Sequence, residues 1–377
     1  MTYFILPPVH FDIYKHLEYI GSDDEPAPII SNSLYTFLNE IKCKIDICDK
    51  KWIKCYKYAN PYEYIHSNIN PISNAHYILI EIINVLNLNF NENSINMFNI
   101  SNEPCAFIET MVNHRKCKND KYIGLSLINN NIDSNVLNNT FLSNNSNVYI
   151  ENNNWDILSI DNLIKCRQKY SSTMHLITAD ATIDSSITDY NSRESIEIKS
   201  IFAQVCYALS IQCIGGVFIL KLHDCFTQST IDIIYLLSSC YENVYIIKPT
   251  ICSASTSEKY IICKGFTHNN SLDIFPNLYR AFGNMIHSTT NYISRFLNIP
   301  IYSYFIKKME EYNIIFGRYQ LENINYIFSL MDSKQSHDKI LILIKQNIKK
   351  CIQWCSTNHI SYTPPMINNV HNRFHHL

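Results

Sequence analysis

Between residues 61 and 268 the chain switches repeatedly between two hydrophobic periods, which leaves few architectures open to it. Helical spacing predicts helices at roughly 73–88, 105–114, 192–213 and 227–240. Short apolar runs at 96–100, 121–127, 174–179, 216–222, 243–248 and 259–264 read as strands. Strands alternating with helices point to an open, mostly parallel α/β sheet, because parallel neighbours need a crossover and a helix supplies it. The last two runs, ENVYIIKP and SEKYIICKGF, leave little room for a helix between them, so they predict an antiparallel hairpin closing the sheet. Residues 1–60 read as a helical extension, with Leu34, Tyr35, Phe37, Leu38 and Ile41 at helical spacing behind a Ser31-Asn32-Ser33 cap signal. Residues 269–377 return to helical periodicity and end in a polar tail carrying His371, His375 and His376. The expected organisation is thus 1–60, 61–268 and 269–377.

Composition narrows the function classes. With 31 Lys and Arg against 33 Asp and Glu, no global field draws the chain to nucleic acid or membrane, so any polyanion site must be a local patch. One such patch is Lys42, Lys44, Lys50, Lys51, Lys54 and Lys57, interleaved with Trp52 and Tyr56. It reads either as a solvated helix face or as an RNA backbone track, with Lys50, Lys51, Lys54 and Lys57 as the binding candidates. The 14 cysteines contain no CxxC pair, which suits reduced intracellular thiols better than a disulfide framework. Pro7, Pro8 and His10 spoil the N-terminus as a secretory signal, and Glu81 and Asn84 interrupt the longest apolar stretch, so a soluble, cytoplasmic protein without a membrane partner is expected. Cys351, Cys355 and His359 recur at four-residue intervals, but no fourth ligand lies nearby and no metal site is expected.

Glycine is scarce, with only 7 in the chain. Between Gly21 and Gly124 there is none, although SNEPCAFIE (101–109) occupies a strand-to-helix turn where a nucleotide-binding fold ordinarily wants glycines. Coding bias, also visible in the asparagine-rich stretch 129–147, can replace a dispensable glycine. It cannot supply a bare backbone or a positive φ where a loop requires one.

Three polar residues sit at strand ends. Asp180 follows Leu176-Ile177-Thr178-Ala179, Lys221 ends a strand entered through Gly215-Gly216, and Glu258 opens the last strand. In an open α/β sheet ligands bind at the carboxyl ends of the strands, so Asp180 and Lys221 are expected to share one crevice. Carboxylates around a partly buried lysine position it and tune its proton affinity, which is one way to make a base for a weakly acidic hydroxyl. Taken singly each has a plainer reading: an edge lysine, a turn-capping aspartate, a solvated glutamate. His175, at a strand start, reads as a core histidine.

These residues and their surroundings resemble the FtsJ/RrmJ-type RNA 2′-O-ribose methyltransferases, in particular cap ribose methyltransferases and the copies encoded by large cytoplasmic DNA viruses. The resemblance covers roughly residues 60–268 and rests on NPYEYI (60–65), PISNAHYILIEI (71–82), NEPCAFIE (102–109), YIGLSL (122–127), ITADATIDSSITDYNSRE (177–194), GGVFILKLHD (215–224) and SEKYIICKGF (257–266). It implies a Rossmann-like methyltransferase sheet, S-adenosylmethionine as cofactor and capped mRNA as partner. It also implies a Lys-Asp-Lys-Glu tetrad in which Lys221 takes the proton of the ribose hydroxyl and Asp180 and Glu258 tune it.

The pattern is incomplete. Ile78 stands in the slot of the first tetrad lysine and Asn74 where the family has arginine, and no lysine occurs between Lys57 and Lys116. Glu103, Pro104 and Phe107 of the cofactor turn remain, but Cys105-Ala106 replace its paired glycines and Ala181-Thr182 replace the pair after the motif aspartate. The arginine expected within 252–256 is also missing. The resemblance therefore implies a catalytically impaired chain acting as an RNA-binding or scaffolding subunit, partnered with an active methyltransferase and needing no cofactor. The alternatives are an active methyltransferase tolerating a three-residue site, and a structural virion protein.

Overall fold

The structure, a computed structural model, describes residues 2–65, 71–90, 92–102, 105–126, 139–151, 155–181, 192–268, 271–332 and 337–362. Its strands are β1 (Thr2–Ile5), β2 (Leu17–Ser22), β3 (Asn96–Ser101), β4 (Lys121–Ser126), β5 (Val148–Glu151), β6 (Met174–Ala179), β7 (Gln212–Leu222), β8 (Tyr241–Lys248), β9 (Lys259–Phe266) and β10 (Tyr292–Leu297). Its helices are α1 (Asn32–Ala59), α2 (Ala75–Leu86), α3 (Cys105–Arg115), α4 (Asn139–Asn144), α5 (Ile160–Tyr170), α6 (Arg193–Ile211), α7 (Gln228–Cys240), α8 (Ser271–His287), α9 (Ser303–Asp332) and α10 (His337–Thr357).

Eight strands form one sheet in the order β1-β8-β9-β7-β6-β3-β4-β5. From β5 to β7 every neighbour is parallel. β9 then inserts antiparallel between β7 and β8, as the short link between the last two apolar runs predicts. Successive residues of β7 point to opposite faces, so both faces must be covered. Phe218 and Leu220 enter a core shared with α6, α7 and α8, whereas Val217 and Ile219 enter one shared with α2, α3 and Trp354 of α10.

β7 begins earlier than its apolar run suggests and bulges near its start. Gly215 sits at φ +72°, and a Cβ on Gly216 would collide with the Gln212 amide, so both glycines are required there. Gln212 uses that amide to bond the Met174 and Val217 carbonyls across the irregularity.

Residues 1–60 are not helical throughout, and this corrects the sequence reading. β1 extends the main sheet by pairing antiparallel with β8, and β2 pairs with β10 in a separate two-stranded sheet. Strands of four and six residues whose partners lie hundreds of residues away leave no local periodicity to read. Helix begins at Asn32 with α1, which packs along α9 so closely that a Cβ on Gly317 would strike Leu34. Asp232 of α7 is buried and accepts from Arg295 and from the Phe296 and Leu297 amides, which fastens β10 to the main domain. No helix of the described residues is long and apolar enough to cross a membrane.

Candidate functional site

The carboxyl end of the sheet gathers the three strand-end residues. Ala179 is in register with Leu220, so Asp180, one residue on, stands beside Lys221. The Asp180 amide donates to the Ile100 carbonyl at 3.1 Å, which continues the β3–β6 ladder by one residue. Lys221 pairs across β7–β9 with Tyr260, and its Nζ lies 3.8 Å from Oε1 of Glu258. Tyr260 closes the group by donating its hydroxyl to the same Glu258 oxygen at 2.7 Å. Burial pushes the Glu258 carboxyl up, but the Lys221 ammonium and the Tyr260 hydroxyl outweigh it and hold the group below its ordinary range. Burial, then the carboxylate of Glu258, push the Tyr260 hydroxyl well above its own range, so it stays a donor. Sequence reasoning missed Tyr260, because an aromatic on a buried strand reads as core.

Ile78, in the slot of the first tetrad lysine, lies on α2 and packs against the core on the Val217–Ile219 side of the sheet. A hydrocarbon there carries no charge and no proton. Three residues on, Glu81 is buried and accepts from the Thr250 amide (2.8 Å), the Ile251 amide (3.1 Å) and Trp354 Nε1 (3.0 Å). It thereby ties the 249–258 loop and α10 to α2. The other end of that loop is held by Lys248, whose Nζ donates to the Thr256 and Glu258 carbonyls at 2.7 and 2.9 Å. α9 adds a third fastening from Gln320 to the Ser255 carbonyl at 3.1 Å. The missing arginine of 252–256 thus leaves a loop braced by Glu81 and Lys248 from within the central segment and by Gln320 from outside it.

Charges lie beneath this side of the crevice. Asp224 is buried, and Lys42 of α1 reaches it at 3.1 Å. Lys259, also buried, donates to the His223 and Ser257 carbonyls. Asp224, Lys259, Ser257 and Lys248 line a cavity of about 20 Å³. Burial pushes the Asp224 carboxyl up, but Lys42 and Lys259 hold it down at about 2. Burial lowers Lys248 to about 8.

Lys42 therefore leaves the surface patch to which its neighbours in sequence assign it. Trp52 leaves it as well, since its ring packs against Phe328 of α9 at 5.2 Å. Lys50, Lys51 and Lys54 remain exposed and Lys57 half-buried.

The other side of the crevice is built differently. Cys105, Ala106 and Phe107 form the first turn of α3 and are 1%, 4% and 2% exposed. Ala181 is also buried, and its amide and carbonyl are both bonded by the side-chain amide of Gln204, at 3.2 and 3.0 Å. None of these residues has a positive φ. Replacing glycine here has not strained the backbone; what it adds is side-chain volume. Glu103, Pro104 and Thr182 lie outside the described residues. Behind α3, Thr110 shares a hydrogen bond with His76 Nδ1 at 3.1 Å, and burial lowers the His76 imidazole to about 4. Glu109 accepts from the Ile72 amide at 2.9 Å, which completes the α2–α3 contact.

His175 is a half-buried acceptor for the Asn96 amide. Cys351 donates to the Pro61 carbonyl, and His359 lies beyond the end of α10 at φ +56°. Among the described residues no group of three or more His, Cys, Asp and Glu is placed to hold a metal ion. The tail histidines lie outside the described residues.

The model of the FtsJ-like methyltransferase family matches residues 72–266. The chain belongs to that family. The FtsJ-like segment runs from the turn before α2 to the end of β9, so it contains every residue of the crevice, while α1, α9 and α10 lie outside it. Over 204 residues, 53% of this chain, it is 27% identical to a cap-specific mRNA (nucleoside-2′-O-)-methyltransferase 2 of Pongo abelii. Over 116 residues, 30% of the chain, it is 31% identical to the protein of that name in Drosophila melanogaster. These matches span 25% and 16% of the relatives' own lengths. Among solved structures, human methyltransferase-like protein 13 in complex with SAH is 11% identical over 58% of this chain and 95% of its own, with a TM-score of 0.35. At that score the fold rests on the sheet topology itself.

Proposed function

We propose that this FtsJ-like chain binds RNA at the carboxyl end of its sheet and acts as an RNA-binding or scaffolding subunit, its own methyl transfer lost or badly reduced. The observation that carries this reading is the asymmetry of the crevice. Lys221 keeps its ammonium 3.8 Å from Glu258 and on the strand beside Asp180, which suits a ribose hydroxyl. The positions assigned by resemblance to the methyl donor are occupied by protein. A donor lying against the first turn of α3 and the backbone after Asp180 requires those surfaces bare. Here the Cys105 and Ala106 side chains are buried, and the Ala181 backbone is already spent on Gln204. The residues present do not fit S-adenosylmethionine bound in that way. Ile78 adds a second deficit, because the lysine position it fills has no substitute cation on the same face of α2.

The deciding experiment incubates the purified full chain with cap-0 RNA and S-adenosylmethionine and assays both strand binding and methylation. Binding without methyl transfer is expected. Turnover in the ordinary enzyme range, about 1 per second or faster, would end this reading. The retained trio favours one second reading, an active 2′-O-methyltransferase with a three-residue site. That reading requires product formation that disappears in Lys221→Ala.

A further inference from the structure

A cavity of about 370 Å³ opens where the end of α1, the 250–255 loop and the facing sides of α9 and α10 meet. A space of this size takes a small planar ligand, pockets for which run from roughly 300 to 1,000 Å³. Four tyrosines line it, Tyr56 and Tyr62 from one side and Tyr319 and Tyr326 from α9, with Asn323 and Lys350 among the polar groups. None of its described lining residues is acidic. That chemistry disfavours a cationic guest and suits a flat, neutral ring with hydrogen-bonding edges, since every base offers a π-face to an aromatic side chain.

Two features make this a receptive surface rather than loose packing. Tyr319 and Tyr326 remain 49% and 42% exposed, so ring area is left for a ligand to cover. The Asn323 amide donates to the Tyr319 carbonyl at 2.7 Å, which fixes it in place, and an amide held by one hydrogen still offers an acceptor and a second donor. The location is equally specific. Ser253 and Ser255 of the wall belong to the loop that ends at Glu258, and Lys350 of α10 stands in the same wall. A strand whose ribose reached Lys221 would need neighbouring nucleotides to lie along that loop and a phosphate to meet that lysine.

We infer that this cavity is a receptor for one base of a single-stranded RNA, stacked on the tyrosines of α9, with an adjoining phosphate on Lys350 of its wall. The inference rests on the RNA reading above, and it gives a binding role to helices outside the FtsJ-like segment.

The test uses the full chain and a short single-stranded RNA carrying one 2-aminopurine, read by fluorescence quenching and by anisotropy. Wild type is expected to bind and quench. The Tyr319→Ala and Tyr326→Ala double variant should lose the quenching and bind ten- to a hundredfold more weakly, given about 1–3 kcal/mol of stacking per base. The Tyr319→Phe and Tyr326→Phe double variant keeps the ring faces and should retain both signals, which guards against a folding artefact. If RNA binds and the alanine pair changes neither signal, the pocket assignment is wrong while the RNA reading stands. If wild type binds no RNA, both fall. If adenosine monophosphate binds through the tyrosines while RNA does not, the cavity serves a free nucleotide and the strand assignment is overturned.

Discussion

The two sides of one crevice are held by different forces. At the ends of β7 and β9, Lys221, Glu258, Asp224 and the lysines beneath them form a charged group, braced through the 249–258 loop by α9 and α10. Beyond the ends of β3 and β6, Cys105, Ala106 and Ala181 are small, neutral and buried, and their neighbours are held by neutral hydrogen bonds from Gln204 and Thr110. Substitutions away from the family pattern fall heavily on the second side, although Ile78 and the missing arginine of 252–256 show that the first has not been spared. A fold can lose a ligand by filling its space with methyl groups and a thiol at little cost in stability. Losing a buried charge cluster is expensive, because each member strands another.

The difference can be broken first at Asp224. Asp224→Ala leaves Lys42 and Lys259 inside the protein without their carboxylate and should cost about 3–5 kcal/mol in denaturant unfolding. A loss below about 1 kcal/mol would mean the cluster does not hold this side together.

Acid separates the two sides next. His76 is neutral in the folded state down to about pH 4, while an unfolded histidine takes its proton near 6.5. The unfolded chain therefore binds more protons between these values. The contribution of this site to stability is complete above about pH 6.5 and falls as the pH drops toward 4, by up to roughly 3 kcal/mol. Asp224, held down at about 2, keeps its contribution through that window and loses it only in stronger acid. A stability profile whose slope between pH 6.5 and 4 survives unchanged in His76→Asn would remove this assignment.

A smaller effect is expected at the brace. Glu81→Gln keeps the shape but cannot accept from both loop amides and Trp354 at once, which should cost about 1–3 kcal/mol and shift the fluorescence of Trp354. An unchanged spectrum and stability would show that α10 docks independently of the loop. The smallest effect belongs to the exposed lysines. Lys54→Ala should weaken RNA binding a few-fold and lower its salt slope by about 1, while leaving stability untouched.

Much of the sheet was legible because its strands are buried on both faces and its helices are long enough to show their period. The segments that escaped, β1, β2, β5 and β10, have four or six residues each, and three of them pair with strands more than two hundred residues distant. The motif residues at the strand ends were readable for a similar reason, since a polar residue at the end of an apolar run is conspicuous. Tyr260 was not, because its hydroxyl matters only once Glu258 is beside it. Lys42 was read as surface because lysines almost always are. Its partner Asp224 lies 182 residues away, and nothing in the period of α1 announces a buried pair. The tyrosine-lined cavity was equally hidden, drawn as it is from α1, a loop and two helices near the other end of the chain.

Calorimetric titration of S-adenosylmethionine into the purified full chain tests most directly whether the second side of the crevice is closed. No saturable heat is expected at ligand concentrations up to about 1 mM, the upper end of the range in which enzymes ordinarily meet their substrates. One-to-one binding in the micromolar range would show instead that Cys105, Ala106 and Ala181 leave room for the donor, and the chain would then have to be treated as a methyltransferase.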